Sequence, residues 1–389
     1  MSAPRVLQVT KLYPPWIGGV ERAVHMMSEG LSRRHGVAVE VLTCQARGRG
    51  MVATVGGVRV TRVGSLGMVL GMPVSPHFPL VYGALSRRVD LLHIHMPFPL
   101  AAWAHAALGD NGKGLIVHYH SDIVRQKRLA WMYTVFLREL LQRADLIIVT
   151  SPALLANSPH LAPFRRKCRI IPYAVDQPAG SPGPTHVAAL RARLGVRDMG
   201  RVVLFVGRLV YYKGVEYLVD AMCSVNATLV IVGDGPYRHA LQERVTERRL
   251  GRKVVFCPAV SDQELRGYYS LGDVFVLPSI ETTEAFGLVQ LEAMASGLPV
   301  INTDLPTGVP WVSRSGETGL TVPPRDSMAL AGAINTILRD RQLSAKFASR
   351  GKTRVKEFSV EKMLSDIRAL YGEVLDAHPR ADRLTRRAS

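Results

Sequence analysis

Along nearly the whole chain, short apolar runs rich in valine and isoleucine alternate with longer amphipathic segments. Runs of this kind have no polar face and must be buried on both sides, and the segments between them are long enough to be crossover helices. The rhythm therefore dictates parallel sheets covered by helices. In the first half the strand candidates are 6–9, 39–42, 58–63, 91–95, 115–120, 146–150 and 168–171, with helical patterns at 21–34 and 129–143. Pro172 stops the last of these strands.

From 175 to 185 the composition shifts to Pro, Gly, Ser and Ala, including Pro178, Pro182 and Pro184, as a linker would. The rhythm then restarts, with strands at 202–206, 228–232, 253–256, 274–277 and 298–302 and helices near 214–222, 236–249, 262–271 and 284–296. A length of 389 residues suits two domains of ordinary size. The expected fold is α/β: two tandem Rossmann-like, doubly wound domains at 1–185 and 186–359. A C-terminal helix crossing back to the first domain, and then a basic tail, occupy 360–389.

Lysine plus arginine number 49 against 31 aspartates and glutamates, a formal charge of +18. Such a chain is drawn toward anionic partners, whether nucleic acid, phosphorylated substrates or an acidic membrane face. No nucleic-acid-binding module is recognisable, so nucleic acid is not the expected partner. Cys44, Cys168, Cys223 and Cys257 lie far apart, with no CxxC and no Cys/His cluster at metal-ligand spacing. A disulfide framework and a structural zinc site are thus not expected, and a reducing cytoplasm is. The stretch 63–86 carries no Lys, Arg, Asp or Glu, but Pro73, Pro76 and Pro79 interrupt it. It reads as an apolar loop at 66–82, not as a spanning helix.

Open α/β sheets bind ligands beyond the carboxyl ends of their strands, so the segments that follow strands are the ones to search. Gly18 and Gly19 follow the first strand and open a helix. They make either a plain tight turn or a place where backbone N–H groups approach a phosphate. Neither opening strand is followed by GxGxxG, and Gly233-Asp234-Gly235-Pro236 lacks the third glycine, which disfavours a dinucleotide-dependent oxidoreductase. Arg208 and Lys213 stand five apart across a loop. They are either two solvated cations or a planar fork and a point charge converging on one diphosphate. In the segment 279–297, Glu284 sits in a loop while Gly287, Leu288 and Val289 begin a helix whose first amides suit a phosphate. Glu292 lies about a turn and a half further in, where a carboxylate is either exposed or holding a polar ligand.

Glu284 and Glu292, with Phe286-Gly287 between them and Ala293-Met294-Ala295-Ser296-Gly297-Leu298-Pro299-Val300 following, closely resemble the signature of glycosyltransferase family 4. These are retaining enzymes of the GT-B fold. The Gly-Gly turn, Gly207-Arg208 with Lys213-Gly214, Val232 to Pro236, and Gly316 with Gly319-Leu320 occur in the order that family shows, so the resemblance runs over about the whole chain.

The resemblance implies that Arg208 and Lys213 hold the donor diphosphate, helped by Gly18, Gly19 and the amides of Gly287, Leu288 and Val289. By the same token Glu292 would bond the nucleotide ribose, Glu284 the hydroxyls of the transferred sugar, and His120 would be the active-site histidine near that sugar and the β-phosphate. Phe286 belongs to the donor motif, and Val260 to the loop near the base, where Pro258 replaces the usual glycine. The implied chemistry needs no cofactor and no metal: same-face attack by the acceptor hydroxyl, the departing phosphate oxygen taking its proton. Glu284→Gln and Lys213→Ala are each expected to abolish transfer with the fold intact.

The stretch from His120 to Lys127 resembles bacterial O-antigen and exopolysaccharide mannosyltransferases. The implied donor is GDP-mannose, with UDP-hexoses as the alternative within the family and an inactive nucleotide-sugar-binding scaffold as the alternative of another class. Arg33-Arg34, Arg87-Arg88, Arg125, Lys127, Arg128 and Arg165-Arg166-Lys167 fall in the first half beside the apolar loop and an aromatic-rich helix. Cations beside apolar side chains suit an anionic membrane, although such groups also serve simply as core and solubilising surface. The expected acceptor is a lipid-linked or polysaccharide glycan in cell-surface glycan biosynthesis. The expected place is peripheral on the inner face of the plasma membrane.

Overall fold

The computed structural model describes residues 3–16, 18–109, 112–122, 130–176, 182–196 and 200–378, with the backbone alone at 130–132. The chain divides into two units: residues up to Tyr173 together with those from Glu361 onward, and Ala174–Val360.

The first unit is built on β1 (Arg5–Val9), β2 (Ala38–Cys44), β3 (Met51–Val55), β4 (Val58–Val63), β7 (Leu91–Met96), β8 (Gly114–Tyr119), β9 (Leu146–Val149) and β10 (Cys168–Ile170), with a small hairpin of β5 (Met68–Val69) and β6 (Met72–Pro73) set apart. The main sheet runs β10-β9-β8-β7-β1-β2-β4-β3. Only β3 is antiparallel among its pairings. β7, β8 and β9 are buried at every position, as a strand covered on both faces must be. Strand order reverses between β1 and β7, the switch point at which such sheets open for a ligand.

The second unit holds β11 (Val202–Val206), β12 (Thr228–Val232), β13 (Val254–Cys257), β14 (Val274–Leu277), β15 (Val300–Thr303) and β16 (Gly319–Val322) in the order β13-β12-β11-β14-β15-β16. All five pairings are parallel, and the switch point falls between β11 and β14.

The apolar loop expected at 66–82 contains the β5–β6 hairpin and the start of a helix at Phe78–Ser86. Pro79 sits in the first turn of that helix, where its missing N–H costs nothing. The helix expected from 284 begins at Leu288, because Gly287 caps it with φ +73. The two units divide between Tyr173 and Ala174, just ahead of the breaker-rich stretch. Composition marks where a linker is polar and breaker-rich but not where hydrogen bonds resume: the Val175 N–H already donates to the Phe358 carbonyl at 3.2 Å. The helix Pro184–Arg193 likewise packs on Asp262–Leu271 of the second unit.

The C-terminal helix Val360–Ala377 joins the first unit. A Cβ at Gly30 would lie 2.4 Å from a Leu364 methyl, and one at Gly114 2.5 Å from Val374. The absent side chains are what let this helix pack closely. The basic tail expected beyond it lies outside the described residues.

Candidate active site

In the second unit the loop after β11 and the loop after β14 are stitched together at the switch point. Gly214, at φ +62, brings its Cα so close that a Cβ would stand 2.2 Å from the Pro278 carbonyl oxygen. The Ile280 N–H donates to the Tyr212 carbonyl at 2.9 Å, and the Tyr211 hydroxyl donates to the Glu281 carboxylate at 2.5 Å. The result is an ion pair between Lys213 and Glu284, whose side chains are only 11% and 10% exposed. The Ser279 hydroxyl donates to the same Glu284 oxygen at 3.3 Å. Two residues taken from the sequence as separate contacts thus stand against one another.

Arg208 is exposed on the first of these loops. Its backbone is fixed by the turn after β12: the Leu209 N–H donates to the Asp234 carbonyl at 2.9 Å, and the Tyr237 N–H donates to the Leu209 carbonyl at 3.0 Å. The helix Leu288–Ala295 starts beyond β14. Its first amides, at Leu288 and Val289, have no carbonyl one turn earlier within the helix, and its dipole adds positive potential there. Glu292 is half-buried and accepts from the Tyr269 hydroxyl at 2.8 Å. Val260 is half-buried after β13, just before a helix capped reciprocally by Ser261 and Glu264. The Phe286 ring is buried with Trp311 and Phe358, at centroid distances of 6.3 and 6.1 Å. That side chain is committed to the core of the unit, which the motif alone could not reveal.

In the first unit Gly18 precedes the helix Gly19–His35, and a Cβ on Gly18 would lie 2.1 Å from a Glu21 carboxylate oxygen. Glycine here makes room for an acidic side chain at the helix start. His120 follows β8 and is 1% exposed. It belongs to a stack of four buried imidazoles from β7, β8 and the turn beyond: His93, His95, His118 and His120. Centroids of His118 and His120 are 4.3 Å apart, and those of His95 and His120 5.2 Å with planes 1° from parallel. The His120 Nε2 meets His95 Nδ1 at 3.0 Å, while Tyr173 bonds Nδ1 of His120. His95 Nε2 bonds Gln8 Oε1 at 2.5 Å, Gln8 Nε2 donates to the Tyr371 hydroxyl at 2.9 Å, and that hydroxyl meets His93 Nδ1 at 2.7 Å.

Burial disfavours the imidazolium form and pushes His93 and His120 down to about 3, and His95 and His118 well below the usual histidine range. The same burial raises the Tyr173 phenol, with the Glu21 charge adding to it. Nitrogens of His93, His95 and His118 lie within 4.8 Å of one another, so a cation is conceivable there. The near-parallel ring planes, however, set lone pairs side by side instead of converging, and His95 already spends both nitrogens on Gln8 and His120. His93, His95 and His120 are thus hydrogen-bonded, whereas the ring nitrogens of His118 have no partner among the described residues.

Gln8, His95, Tyr173, Tyr371, Tyr211, Glu281 and Tyr269 escaped sequence reasoning. The two His-x-His patterns on consecutive strands were a usable signal, since alternate residues share a face. Tyr371 gave none, because its partner is 363 positions away.

The model for "Glycosyltransferase Family 4" matches residues 17–177, and that for "Glycosyl transferases group 1" matches 187–354. The chain is 30% identical over 375 residues to O-antigen chain mannosyltransferase C of Escherichia coli, covering 96% of this chain and 99% of that one. The chain belongs to glycosyltransferase family 4. It is also 31% identical to D-rhamnosyltransferase WbpZ of Pseudomonas aeruginosa, over 91% of each chain. Among solved structures, sucrose-phosphate synthase from Thermosynechococcus elongatus superposes with a TM-score of 0.82 at 27% identity, covering 96% of this chain and all of that one. Two Rossmann-like parallel-sheet units of this kind are the GT-B fold, and this glycosyltransferase has it.

Proposed function

We propose that this glycosyltransferase moves a hexose, mannose from GDP-mannose, onto a lipid-linked or polysaccharide acceptor in cell-surface glycan biosynthesis, with retention and without a metal. The observation that carries the reading is the buried Lys213–Glu284 pair at the β11/β14 switch point. A cation and a carboxylate held there serve two ends of one ligand: a diphosphate and the hydroxyls of the sugar it carries. Arg208, Lys213 and the amides of Leu288 and Val289 stabilise the charge that grows on the departing diphosphate. The bond from the anomeric carbon to the phosphate oxygen breaks, the acceptor oxygen bonds that carbon on the same face, and its proton passes to the leaving phosphate. Glu292, oriented by Tyr269, takes the ribose hydroxyls. The names of the O-antigen mannosyltransferase and rhamnosyltransferase relatives support a bacterial glycan product.

A peripheral position on an anionic membrane belongs to the same proposal. Leu66, Val69 and Leu70 on the β5–β6 hairpin and Leu80 on the next helix are exposed. Gly48, between the exposed Arg47 and Arg49, exchanges two backbone hydrogen bonds with Ser65 at the base of that hairpin. Arg87 and Arg88 are exposed as well. Other groups expected to face lipid do not: Tyr133 and Phe136 pack on the core, and Lys167 donates to the Gln142 and Ala144 carbonyls at 2.6 and 2.7 Å. Arg125, Lys127 and Arg128 lie outside the described residues. No helix among the described residues is long and apolar enough to cross a membrane.

Thermal-shift titration with GDP-mannose, GDP, UDP-glucose and UDP tests the donor, because a ligand of the folded state alone raises Tm by mass action. Stabilisation by the guanine compounds is expected. Stabilisation by UDP-glucose and UDP only would transfer the proposal to a UDP-hexose.

A further inference from the structure

A backbone amide points where its peptide plane is held. Gly287, which caps the helix Leu288–Ala295 at φ +73, is buried, and its N–H has no acceptor among the described residues. A buried backbone N–H is rarely left unpaired, which marks this one for a partner outside the chain. The peptide unit is planar and trans, so an N–H points opposite to the carbonyl before it. Whatever holds the Phe286 carbonyl therefore aims the Gly287 N–H.

That carbonyl is held by Gln290. Gln290 Nε2 donates to the Phe286 oxygen and to the Val309 oxygen, each at 3.3 Å, and lies so near Gly287 that a Cβ there would stand 2.7 Å from it. Gln290 is held in turn by Asn302 of β15. Asn302 Nδ2 donates to Gln290 Oε1 at 2.8 Å and to the Val309 and Ser313 carbonyls at 3.1 and 3.0 Å. Asn302 Oδ1 accepts from the Thr321 hydroxyl at 2.7 Å. Both amides are completely buried. Each has one orientation, because turning it over would set its oxygen against two main-chain carbonyl oxygens. The Gly308 N–H, donating to the Ala285 carbonyl at 2.8 Å, ties the same two loops a second time.

We infer that Gln290, locked by Asn302, is the residue that turns the Gly287 N–H toward the donor diphosphate. A side chain without N–H groups could fill the same space but would leave the 286–287 peptide unheld. Gln290 and Asn302 do not touch the donor in this scheme and are positioning residues. The inference rests on the proposed placing of the diphosphate at this helix.

Phe286-Gly287 is the one Phe–Gly step in the sequence. The full chain carrying 13C in its phenylalanine carbonyls and 15N in its glycines therefore gives a single proton–nitrogen–carbonyl correlation for that peptide. GDP is expected to move its proton downfield, as bonding to a phosphate oxygen does, and guanosine is not. Gln290→Met, similar in size but without the two N–H groups, should lose that shift and bind GDP about tenfold more weakly, with guanosine affinity within about twofold of wild type. A glutamine with a merely structural role would lower Tm and weaken GDP and guanosine alike, and that result overturns the inference. So does a wild-type proton that GDP leaves in place, a spectrum that decides even where Gln290→Met does not fold. If UDP binds and GDP does not, the guanine-nucleotide reading fails, and the same correlation titrated with UDP against uridine decides the inference in its place.

Discussion

Removing Lys213 alone should destabilise the second unit more than removing Lys213 and Glu284 together. Both side chains are about nine-tenths buried, and among the described residues the other side-chain hydrogen bond to the Glu284 carboxylate, from Ser279, is long at 3.3 Å. Breaking a buried pair from one side strands a charge and costs about 3–5 kcal/mol, whereas uncharged groups of similar size in both places are close to neutral. The slight exposure lets water reach the stranded carboxylate, which sets the value for Lys213→Met or Lys213→Ala at the lower end, about 3 kcal/mol. At about 2–4 °C per kcal/mol for a unit of this size, Tm should fall by about 6–12 °C. Lys213→Met with Glu284→Gln should stay within about 1 kcal/mol of wild type. Urea unfolding of the four proteins of the cycle measures this, and all three variants should lose transfer. The expectation that Lys213→Ala leaves the fold untouched is therefore revised. A single variant as stable as wild type, or single costs that simply add in the double variant, would refute the reasoning.

Three further outcomes follow from the geometry. The four buried histidines stay neutral in the folded chain while their unfolded counterparts take up protons below about pH 6.5, so the unfolded state binds more protons and stability rises with pH. Between pH 6.5 and 5 each should cost up to about 1.4 kcal/mol per pH unit, and a urea midpoint for the first unit that is flat over this range would contradict the assignment. Gly287→Ala forces a side chain into φ +73, with its Cβ 2.7 Å from Leu277 and Gln290 atoms. It should lose about 1–3 kcal/mol in urea unfolding of the second unit; an unchanged midpoint would show that the cap tolerates a methyl. Tyr269→Phe removes the hydroxyl that donates to the Glu292 carboxylate and should raise donor KM about three- to tenfold with kcat nearly kept, so a loss confined to kcat would remove Glu292 from ribose binding.

Much of the fold was legible because strands buried on both faces leave uninterrupted apolar runs, as at 202–206 and 274–277, where the observed elements coincide with the expected ones. β3 and the β5–β6 hairpin were missed since their exposed, mixed residues carry no such signal. In the site, Lys213 and Glu284 were visible as residue types after strands, but their pairing was not: it depends on Gly214 letting two loops meet 64 positions apart (278 − 214). The histidine cluster was half legible. His-x-His on β7 and at the end of β8 places like side chains on one face, yet Gln8 and Tyr371, which bond to these rings, are brought there only by the tertiary fold.

The most direct test of the proposal is the anomer released first when the enzyme is supplied with GDP-mannose and water alone, followed by proton NMR before the free sugar equilibrates. Retaining transfer from an α-linked donor, with the diphosphate held by Arg208, Lys213 and the Leu288–Ala295 helix, predicts α-mannose and GDP appearing together at equal rates, undiminished by EDTA. β-Mannose as the first product, or no release of GDP from GDP-mannose by folded enzyme, would contradict it.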